Sequence, residues 1–411
     1  MQDERGEERR CETMKRMLMI LLALAICAAC FAGLAELERR DYILKGDNIA
    51  RGMIAMPEGG LLVYGSTTVA GDGSFASADE EDAYQTAWAM RLAPNHDIMW
   101  HSTNIGSDVQ TAFISAAVMP NGEVALLGNS SNEERLSSIY FMNANDGTPV
   151  RRKSSETARY QQLCVNGEYL IAGGTTQNSA NEKPFLYISY IDDDDNKTHH
   201  WSDEETFPTE ISGLYSVDQL TYVFFTARYG EHPYTQAILY LLTDKGSSTL
   251  ATQRRFSLEK ADLAAGALYA SNTAVGGVIQ LPPGQMLDDG LTCVMYFDPL
   301  SAETLWQGTL NENLFTSVTA IPVRDEERFV LAGYQGSAGD AAIYPGDIAL
   351  AKSYSKNPGP SKSIKISHHS GGMRYVDAIT DGDAILLIGI KDFGDENGVD
   401  TFLFTWEYLA E

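Results

Sequence analysis

The chain has 411 residues, of which 44% are hydrophobic and 21% are charged, and it contains 36 glycines and 20 tyrosines. Abundant Gly and Tyr favour turns and strands over long helices. The formal net charge of −26 argues against binding to nucleic acid, whose phosphates need clustered Lys and Arg, and equally against an anionic membrane surface. Solubility in an exposed setting is the simplest explanation of this charge.

The N-terminus carries a predicted targeting segment. Residues 1–13 form an upstream extension, Lys15 and Arg16 form a basic region, and residues 17–35 are uncharged and apolar. Gly33 and Ala35 supply small residues for a cleavage site before Glu36. A signal peptide over residues 14–35 is therefore predicted, which makes the protein extracellular or part of the cell envelope.

Two alternatives stay open for this segment. Residues 17–35 are long enough to border on a membrane span, so an uncleaved anchor is the first alternative. A lipoprotein modified on Cys30 is the second, although Cys27 stands where such signals have an aliphatic residue. All three alternatives predict export of residues 36–411 as one domain.

The two cysteines beyond this segment, Cys164 and Cys293, each lie inside an apolar run of a different repeat. Two lone cysteines in separate strands favour small core residues over a disulfide or a metal pair.

A hydrophobic run that ends in Gly or another small residue recurs along the chain. In chain order it is found at residues 61–65, 124–128, 169–173, 222–226, 275–279, 330–333 and 386–389, the fourth without its glycine and the fifth degenerate. The markers from Gly65 to Gly389 are spaced by 54 residues on average. A period of this length predicts repeated structural units, here seven.

Each marker has strand-like neighbours on both sides. A second apolar run and a tight turn, such as Asn121-Gly122 or Asp381-Gly382, precede it, and these turns are typical of hairpins. A third run such as residues 138–142 follows, and then an outer strand that often contains Trp, such as residues 97–100. Four strands per repeat without helices predict an all-β fold, a β-propeller with seven four-stranded blades.

The two ends of the chain predict how the ring closes. The last repeat stops at its third strand, residues 401–408, whereas an extra strand-like run, residues 41–45, precedes the first repeat. An N-terminal strand that completes the last blade would leave no blade unfinished.

The outer hairpins at residues 297–306 and 142–150 resemble quinoprotein-like propeller repeats. The units with Leu331-Ala332-Gly333 followed by residues 346–350 resemble the delta-60 and SBBP repeats of secreted bacterial propellers. This resemblance implies a bacterial, secreted propeller and is almost silent on chemistry. Quinoprotein enzymes use additional site residues and often vicinal cysteines, and the sequence has no such pair after residue 30, so no quinone cofactor is predicted.

The loops between second and third strands vary most and are acidic. Variable loops on a rigid scaffold are common binding sites, although a solvated face has the same composition. The candidate ligand-binding residues are Asp72, Glu80, Glu81, Asp288, Asp289, Asp340, Asp395 and Glu396. Asp82, Asp347 and Asp400 each precede a third strand, and this repetition favours a structural role for them.

Signals for a metal or for catalysis are weak. Residues 192–196 place oxygen ligands at alternate positions, as calcium loops do, but Lys197 replaces the expected Gly and Asp203 the expected Glu. The adjacent pairs His199-His200 and His368-His369 would point to opposite faces of a strand, which disfavours shared metal ligation. No nucleophile elbow, zinc motif or phosphate loop is present in the sequence, so no catalytic residue, metal ligand or cofactor is predicted, and calcium is kept as an alternative.

These observations predict an exported, monomeric, non-catalytic binding module for a protein or a glycan, which uses its acidic loop-rich face. One alternative is a polysaccharide hydrolase or lyase, which would need two carboxylates about 5–10 Å apart near the central channel. The other alternative is an envelope scaffold that contacts the membrane only through an uncleaved segment 17–35.

Overall fold

The computed structural model describes residues 37–72, 74–76, 81–103, 110–130, 136–167, 169–176, 184–192, 197–229, 232–244, 248–257, 261–281, 292–310, 314–323, 326–335, 348–355, 364–381, 384–393 and 398–407. None of these residues belongs to a helix that could span a membrane. The predicted extension 1–13 and targeting segment 14–35 lie outside these ranges.

The described residues form 28 strands in seven four-stranded antiparallel sheets. In chain order the strands are β1 (Leu37–Tyr42), β2 (Asn48–Ala55), β3 (Leu61–Val69), β4 (Tyr84–Leu92), β5 (Ile98–Ser102), β6 (Gln110–Val118), β7 (Glu123–Ser130), β8 (Ser137–Asn143), β9 (Pro149–Ser155), β10 (Ala158–Asn166), β11 (Tyr169–Thr176), β12 (Phe185–Ile191), β13 (Lys197–Asp203), β14 (Thr206–Val217), β15 (Leu220–Tyr229), β16 (Gln236–Asp244), β17 (Ser248–Phe256), β18 (Ala264–Ala270), β19 (Val275–Gln280), β20 (Thr292–Phe297), β21 (Thr304–Leu310), β22 (Leu314–Val323), β23 (Glu326–Gln335), β24 (Ile348–Ser355), β25 (Ile364–Ser370), β26 (Met373–Asp381), β27 (Ala384–Asp392) and β28 (Val399–Glu407). Blades 1 to 6 each consist of four consecutive strands, from β2–β5 to β22–β25. The predicted seven-bladed propeller is confirmed.

The ring closes in the way that the two ends of the sequence predict, with an N-terminal strand completing the last blade. Blade 7 has the strand order β26-β27-β28-β1, and β1 pairs with β28 from Leu37 opposite Trp406 to Tyr42 opposite Thr401. The predicted position of the closing strand, residues 41–45, was too late in the chain. Pairing ends at Tyr42, and two residues later the Leu44 N–H donates to the Asp400 side chain at 3.2 Å.

The core is divided among the junctions between blades. Seven clusters of buried side chains each join two neighbouring blades, for example Leu62, Tyr64 and Ala89 of blade 1 with Phe113 and Leu126 of blade 2. Central strands are covered on both faces, and for this reason they are continuous apolar runs such as β3, in which every residue is buried. This burial explains why the marker runs were recognisable in the sequence.

The degenerate repeat forms a regular second strand. All six residues of β19 are buried, and it pairs with β18 and β20. A Cβ atom at Gly276 would lie 2.5 Å from a ring carbon of Phe329 in blade 6, so the glycine makes room for this ring. The sequence pattern is lost here because a large side chain of the neighbouring blade fills the space.

The innermost strand of every blade contains a β-bulge at the same position. The bulged residues are Arg51, Ile114, Gln161, Ser212, Gly266, Thr316 and Val376. Bulges bend a strand, re-aim side chains and commonly lie near functional sites. Here they surround the central channel.

Candidate functional site

Two of the eight predicted ligand-binding residues belong to the described part of the chain. Asp72 and Glu81 are both exposed in the loop between β3 and β4. The Asp72 carboxylate accepts hydrogen bonds from the backbone N–H of Ser74 at 2.9 Å and from its hydroxyl at 2.6 Å, and these bonds lower the Asp72 pKa. Asp72 therefore stabilises its own turn. Glu80, Asp288, Asp289, Asp340, Asp395 and Glu396 lie outside the described residues.

The loop face is the face of the ring where second-to-third-strand loops and blade-to-blade connections emerge, and the hairpin face is the opposite one. Five exposed carboxylates of the loop face have no hydrogen-bond or ion-pair partner among the described residues, namely Glu81, Asp82, Glu156, Glu204 and Glu205. On the hairpin face, Asp97 pairs with Arg40, and Asp146 and Asp298 accept hydrogen bonds within their own turns. Both faces are acidic, and the hairpin face also has exposed carboxylates without a described hydrogen bond or ion pair, such as Glu58, Asp218 and Asp381. The loop face has a group of five that can meet an external partner.

Three of these free carboxylates were missed by the sequence analysis, which considered only loops inside blades. Glu156 lies between β9 and β10, and Glu204 and Glu205 lie between β13 and β14. Each of them follows an outer strand, and this position could have placed them on the loop face, because blade-to-blade connections emerge there.

The central channel contains a cavity of about 480 Å³ lined by the inner strands of all seven blades. Its polar lining includes Arg51, Tyr64, Gln162, Tyr215, Tyr269 and Asp377, and its apolar lining includes Ile54, Leu163, Leu214, Leu268 and Val318. This volume is in the range of small-molecule sites. None of these residues was predicted, because they come together only when the ring closes.

Asp377 follows the bulge of blade 7 and connects three blades. Its Oδ1 accepts hydrogen bonds from the Ser317 hydroxyl at 2.7 Å and from the Ala378 N–H at 2.8 Å, while Oδ2 accepts from the Met53 N–H at 2.9 Å. Burial raises the pKa of this carboxyl in spite of the three hydrogen bonds. Asp377 is the only carboxylate among the described residues that line the cavity, and both of its oxygens are used by the protein.

Tyr64 reaches the channel through a gap at Gly52. A Cβ atom at residue 52 would lie 2.3 Å from the Tyr64 hydroxyl oxygen, so only glycine allows the ring to extend past its own inner strand. Burial raises the pKa of Tyr64, as do the nearby Asp377 and Tyr215, so this hydroxyl keeps its proton. The same holds for Tyr215, whose ring centroid is 6.3 Å from that of Tyr269.

Asp82, Asp347 and Asp400, which were predicted to precede third strands and to have a structural role, do not share one environment in the structure. Asp400 is fully buried in β28, and its Oδ1 accepts hydrogen bonds from the Asn48 side-chain amide at 2.8 Å and from the Leu44 N–H at 3.2 Å. Asp82 is exposed and makes no described contact, and Asp347 lies outside the described residues. The structural role is thus visible at Asp400 alone.

The other candidate residues make local contacts. Cys164 and Cys293 lie in different blades and are not joined in a disulfide. His199 stacks on Tyr190 with ring centroids 4.1 Å apart, and His369 meets Phe404 at 4.8 Å. Within the described ranges no group of three His, Cys, Asp or Glu side chains could hold a metal, and residues 193–196 of the calcium-like stretch lie outside them.

Comparison with known proteins supports the fold. No protein-family model matches the sequence. No curated protein matches it either. Solved structures do match. A chain of the mitotic checkpoint complex is 11% identical with a TM-score of 0.53, covering 91% of this chain and 92% of that chain. The extracellular domains 1–2 of Drosophila semaphorin 1b are 9% identical with a TM-score of 0.51, covering 90% and 88%.

BamB from Moraxella catarrhalis also matches, at 11% identity and a TM-score of 0.42, covering 90% of this chain and 98% of that chain. At these identities the matches to the mitotic checkpoint complex chain and to semaphorin 1b bear on architecture alone. The chain is a β-propeller. The quinoprotein-like, delta-60 and SBBP types remain a resemblance of sequence.

Proposed function

We propose that the protein is an exported, non-catalytic binding module that recognises a basic partner protein through its loop face. The observation that carries this proposal is the group of free carboxylates Glu81, Asp82, Glu156, Glu204 and Glu205. Carboxylates without internal partners can form ion pairs with Lys or Arg of a partner, and complementary charge mainly increases association rate and specificity.

The scaffold supports the proposal in a second way. Side chains of one blade accept backbone N–H groups of the next, so the strand ends that carry the loops are held in a closed ring. Binding loops on a rigid scaffold lose little conformational freedom when a ligand binds. A propeller also occurs in the mitotic checkpoint complex, a protein assembly.

Charge reversal tests the proposal. The full-length protein, tagged at its C-terminus, would be cross-linked in envelope extracts of its native host, beside a variant with Glu81, Asp82, Glu204 and Glu205 changed to Lys. We expect a salt-sensitive protein partner that the loop-face variant loses. The matched control replaces Glu58 and Asp381, exposed carboxylates of the hairpin face, by Lys and should keep the partner.

Other outcomes contradict parts of the proposal. A partner kept equally by the loop-face variant would place recognition elsewhere. Binding on a glycan array, without a protein partner, would replace the protein by a glycan. N-terminal sequencing separates the forms of export, because a mature chain beginning near Glu36 indicates cleavage, whereas an intact N-terminus indicates the anchored scaffold.

A further inference from the structure

A pocket of about 330 Å³ opens on the hairpin face between blades 1 and 2. It is lined by residues of the inner hairpins of the two blades, 56–58 and 121–123, by residues 143–145 and Val150 of blade 2, and by Arg91 of β4. A volume of this size is at the lower end of small-molecule sites, which combine apolar walls with a few polar groups. The pocket therefore has room for one small ligand.

Arg91 is a buried cation without a carboxylate partner in the part of the chain that the structure describes. It is 5% exposed and lines the pocket, and its guanidinium donates hydrogen bonds to the backbone carbonyls of Gly59 at 2.6 Å, of Leu61 at 3.1 Å and of Leu92. Buried charges are normally paired with an opposite charge. At least two of the five guanidinium N–H groups have no described acceptor. Arg91 can therefore hold the anionic group of a ligand.

Glu58 brings the opposite charge to the same pocket. It is exposed and has no hydrogen bond or ion pair with a described residue. Its chain neighbour is Gly59, whose carbonyl accepts a hydrogen bond from Arg91, so both charges reach one pocket without being paired. The other carboxylate of the described lining, Glu123, accepts a hydrogen bond from the Arg151 guanidinium. The described lining thus offers one unpaired cation and one unpaired anion.

We propose that this pocket binds a free α-amino acid with an aliphatic side chain, whose carboxylate is held by Arg91 and whose ammonium group is held by Glu58. Guanidinium and ammonium groups both form charge-assisted hydrogen bonds with carboxylates. A ligand with a single charge would leave one of the two protein charges unpaired. Met56 and the 52%-exposed Val150 line the same pocket and suit the aliphatic side chain. The site lies on the face opposite to the loop face, so it goes beyond the proposed function.

Isothermal titration calorimetry on the full-length protein tests the proposal with L-leucine as the probe. Isoamylamine, which lacks the carboxylate of leucine, and isocaproate, which lacks its ammonium group, are the matched comparisons. We expect one L-leucine per chain. Isoamylamine should bind at least tenfold more weakly, because it loses the charged hydrogen bonds to the buried Arg91. Isocaproate should bind about three- to tenfold more weakly, because ion pairs with an exposed carboxylate such as Glu58 are weaker.

Glu58→Gln should weaken L-leucine binding about three- to tenfold without weakening isocaproate, which has no ammonium group for residue 58 to hold. Thermal unfolding of this variant should be unchanged, because the Glu58 side chain makes no described hydrogen bond or ion pair. Arg91→Lys should weaken L-leucine roughly tenfold, because lysine lacks the planar fork of the guanidinium. Its unfolding is measured beside its binding, since it also loses hydrogen bonds to backbone carbonyls.

The matched control is Asp381→Asn, which alters an exposed carboxylate of the hairpin face outside the pocket. It should bind L-leucine as the unaltered protein does. The variant with four loop-face carboxylates changed to Lys should also bind L-leucine normally. Loss of the partner protein and loss of the amino acid are therefore separate outcomes.

Any of three results would overturn the proposal. The first is no binding of L-leucine up to about 1 mM. The second is equal binding of L-leucine by Glu58→Gln and by the unaltered protein. The third is binding of isocaproate or isoamylamine as tight as that of L-leucine, which would indicate a site for a simple anion or a simple cation.

Discussion

Two carboxylates of blade 7, the half-buried Asp377 and the buried Asp400, show how surroundings decide the behaviour of one residue type. Asp377 has hydrogen-bond partners for both oxygens, from the hydroxyl of Ser317 and from two backbone N–H groups. Asp400 has partners for Oδ1, whereas its buried Oδ2 has none among the described residues. Asp377 should therefore affect the stability of the protein mainly through its hydrogen bonds, and Asp400 mainly through its charge.

Asp377→Ala should destabilise the protein by about 2–4 kcal/mol. It leaves the Met53 N–H without its acceptor and leaves the Ser317 hydroxyl with only the Ala378 carbonyl at 3.5 Å, and each unsatisfied buried group costs about 1–3 kcal/mol. Urea unfolding measures the change, and Asp82→Ala at an exposed position is the matched control. A loss below about 0.5 kcal/mol would show that water replaces the carboxylate.

Asp400→Asn should stabilise the protein at alkaline pH. Burial raises the Asp400 pKa to about 7, so the folded state holds this proton more tightly than the unfolded state, whose carboxyl titrates near pH 4. The stability that this group contributes is complete below about pH 4 and is lost as the pH rises through 7. Asn keeps the Oδ1 acceptor and carries no charge.

The difference in unfolding free energy between Asp400→Asn and the unaltered protein should grow by roughly 2–3 kcal/mol from about pH 5 to about pH 8. Urea titrations at both pH values measure it. Asp82→Asn, at an exposed site, should show no such growth. A difference independent of pH would mean that Asp400 titrates like an ordinary carboxyl.

At the scale of elements, the bulged inner strand explains how the blades are joined. An inner strand is an edge strand, and its channel-facing N–H groups have no strand partner. Side chains of the preceding blade accept them at several junctions, for example Ser137 from Tyr160 at 2.8 Å and Thr226 from Ala265 at 2.9 Å. The hydrogen bond from an inner-strand N–H to a side chain of the preceding blade therefore recurs between blades whose sequences differ.

Gly276→Ala should destabilise the junction of blades 5 and 6 by about 1–3 kcal/mol, because the new Cβ would lie 2.5 Å from the Phe329 ring. Thermal or urea unfolding measures the loss. Adding Phe329→Leu should make the alanine less costly than it is alone. Gly71→Ala is the control, since its nearest neighbour would be 4.0 Å away. Additive effects of the two substitutions would contradict this explanation.

At the scale of the molecule, closure depends on β1. Six residue pairs join it to β28, and the buried Tyr42 donates its hydroxyl to the His96 carbonyl at 2.9 Å. Without β1, the outer edge of β28 would be exposed, and exposed edge strands pair with other chains.

Removal of residues 1–43 should lower the unfolding temperature and cause self-association, whereas removal of residues 1–36 should do neither. Thermal unfolding and light scattering after gel filtration measure both effects. A monomer with an unchanged transition after the longer truncation would show that β1 does not hold the ring closed.

The sequence alone determined the propeller, its seven blades and the use of an N-terminal strand to close it. These features depend on local patterns, since central strands buried on both faces are apolar runs and hairpins need turn residues such as Asn121-Gly122. It placed the closing strand a few residues too late, because an exposed edge strand carries a weak pattern.

Only the tertiary structure decided the composition of the channel. Arg51, Tyr64, Tyr215 and Asp377 come from blades 1, 4 and 7, and no spacing in the chain indicates that they meet. The sequence pointed to acidic loops because charge is visible in composition, whereas the partners of a carboxylate are not. Asp72 binds its own turn and Glu81 has no described partner, although both are exposed acidic residues of one loop. The physical reason is that ring closure, a contact between the two ends of the chain, creates the cavity and selects the side chains that line it.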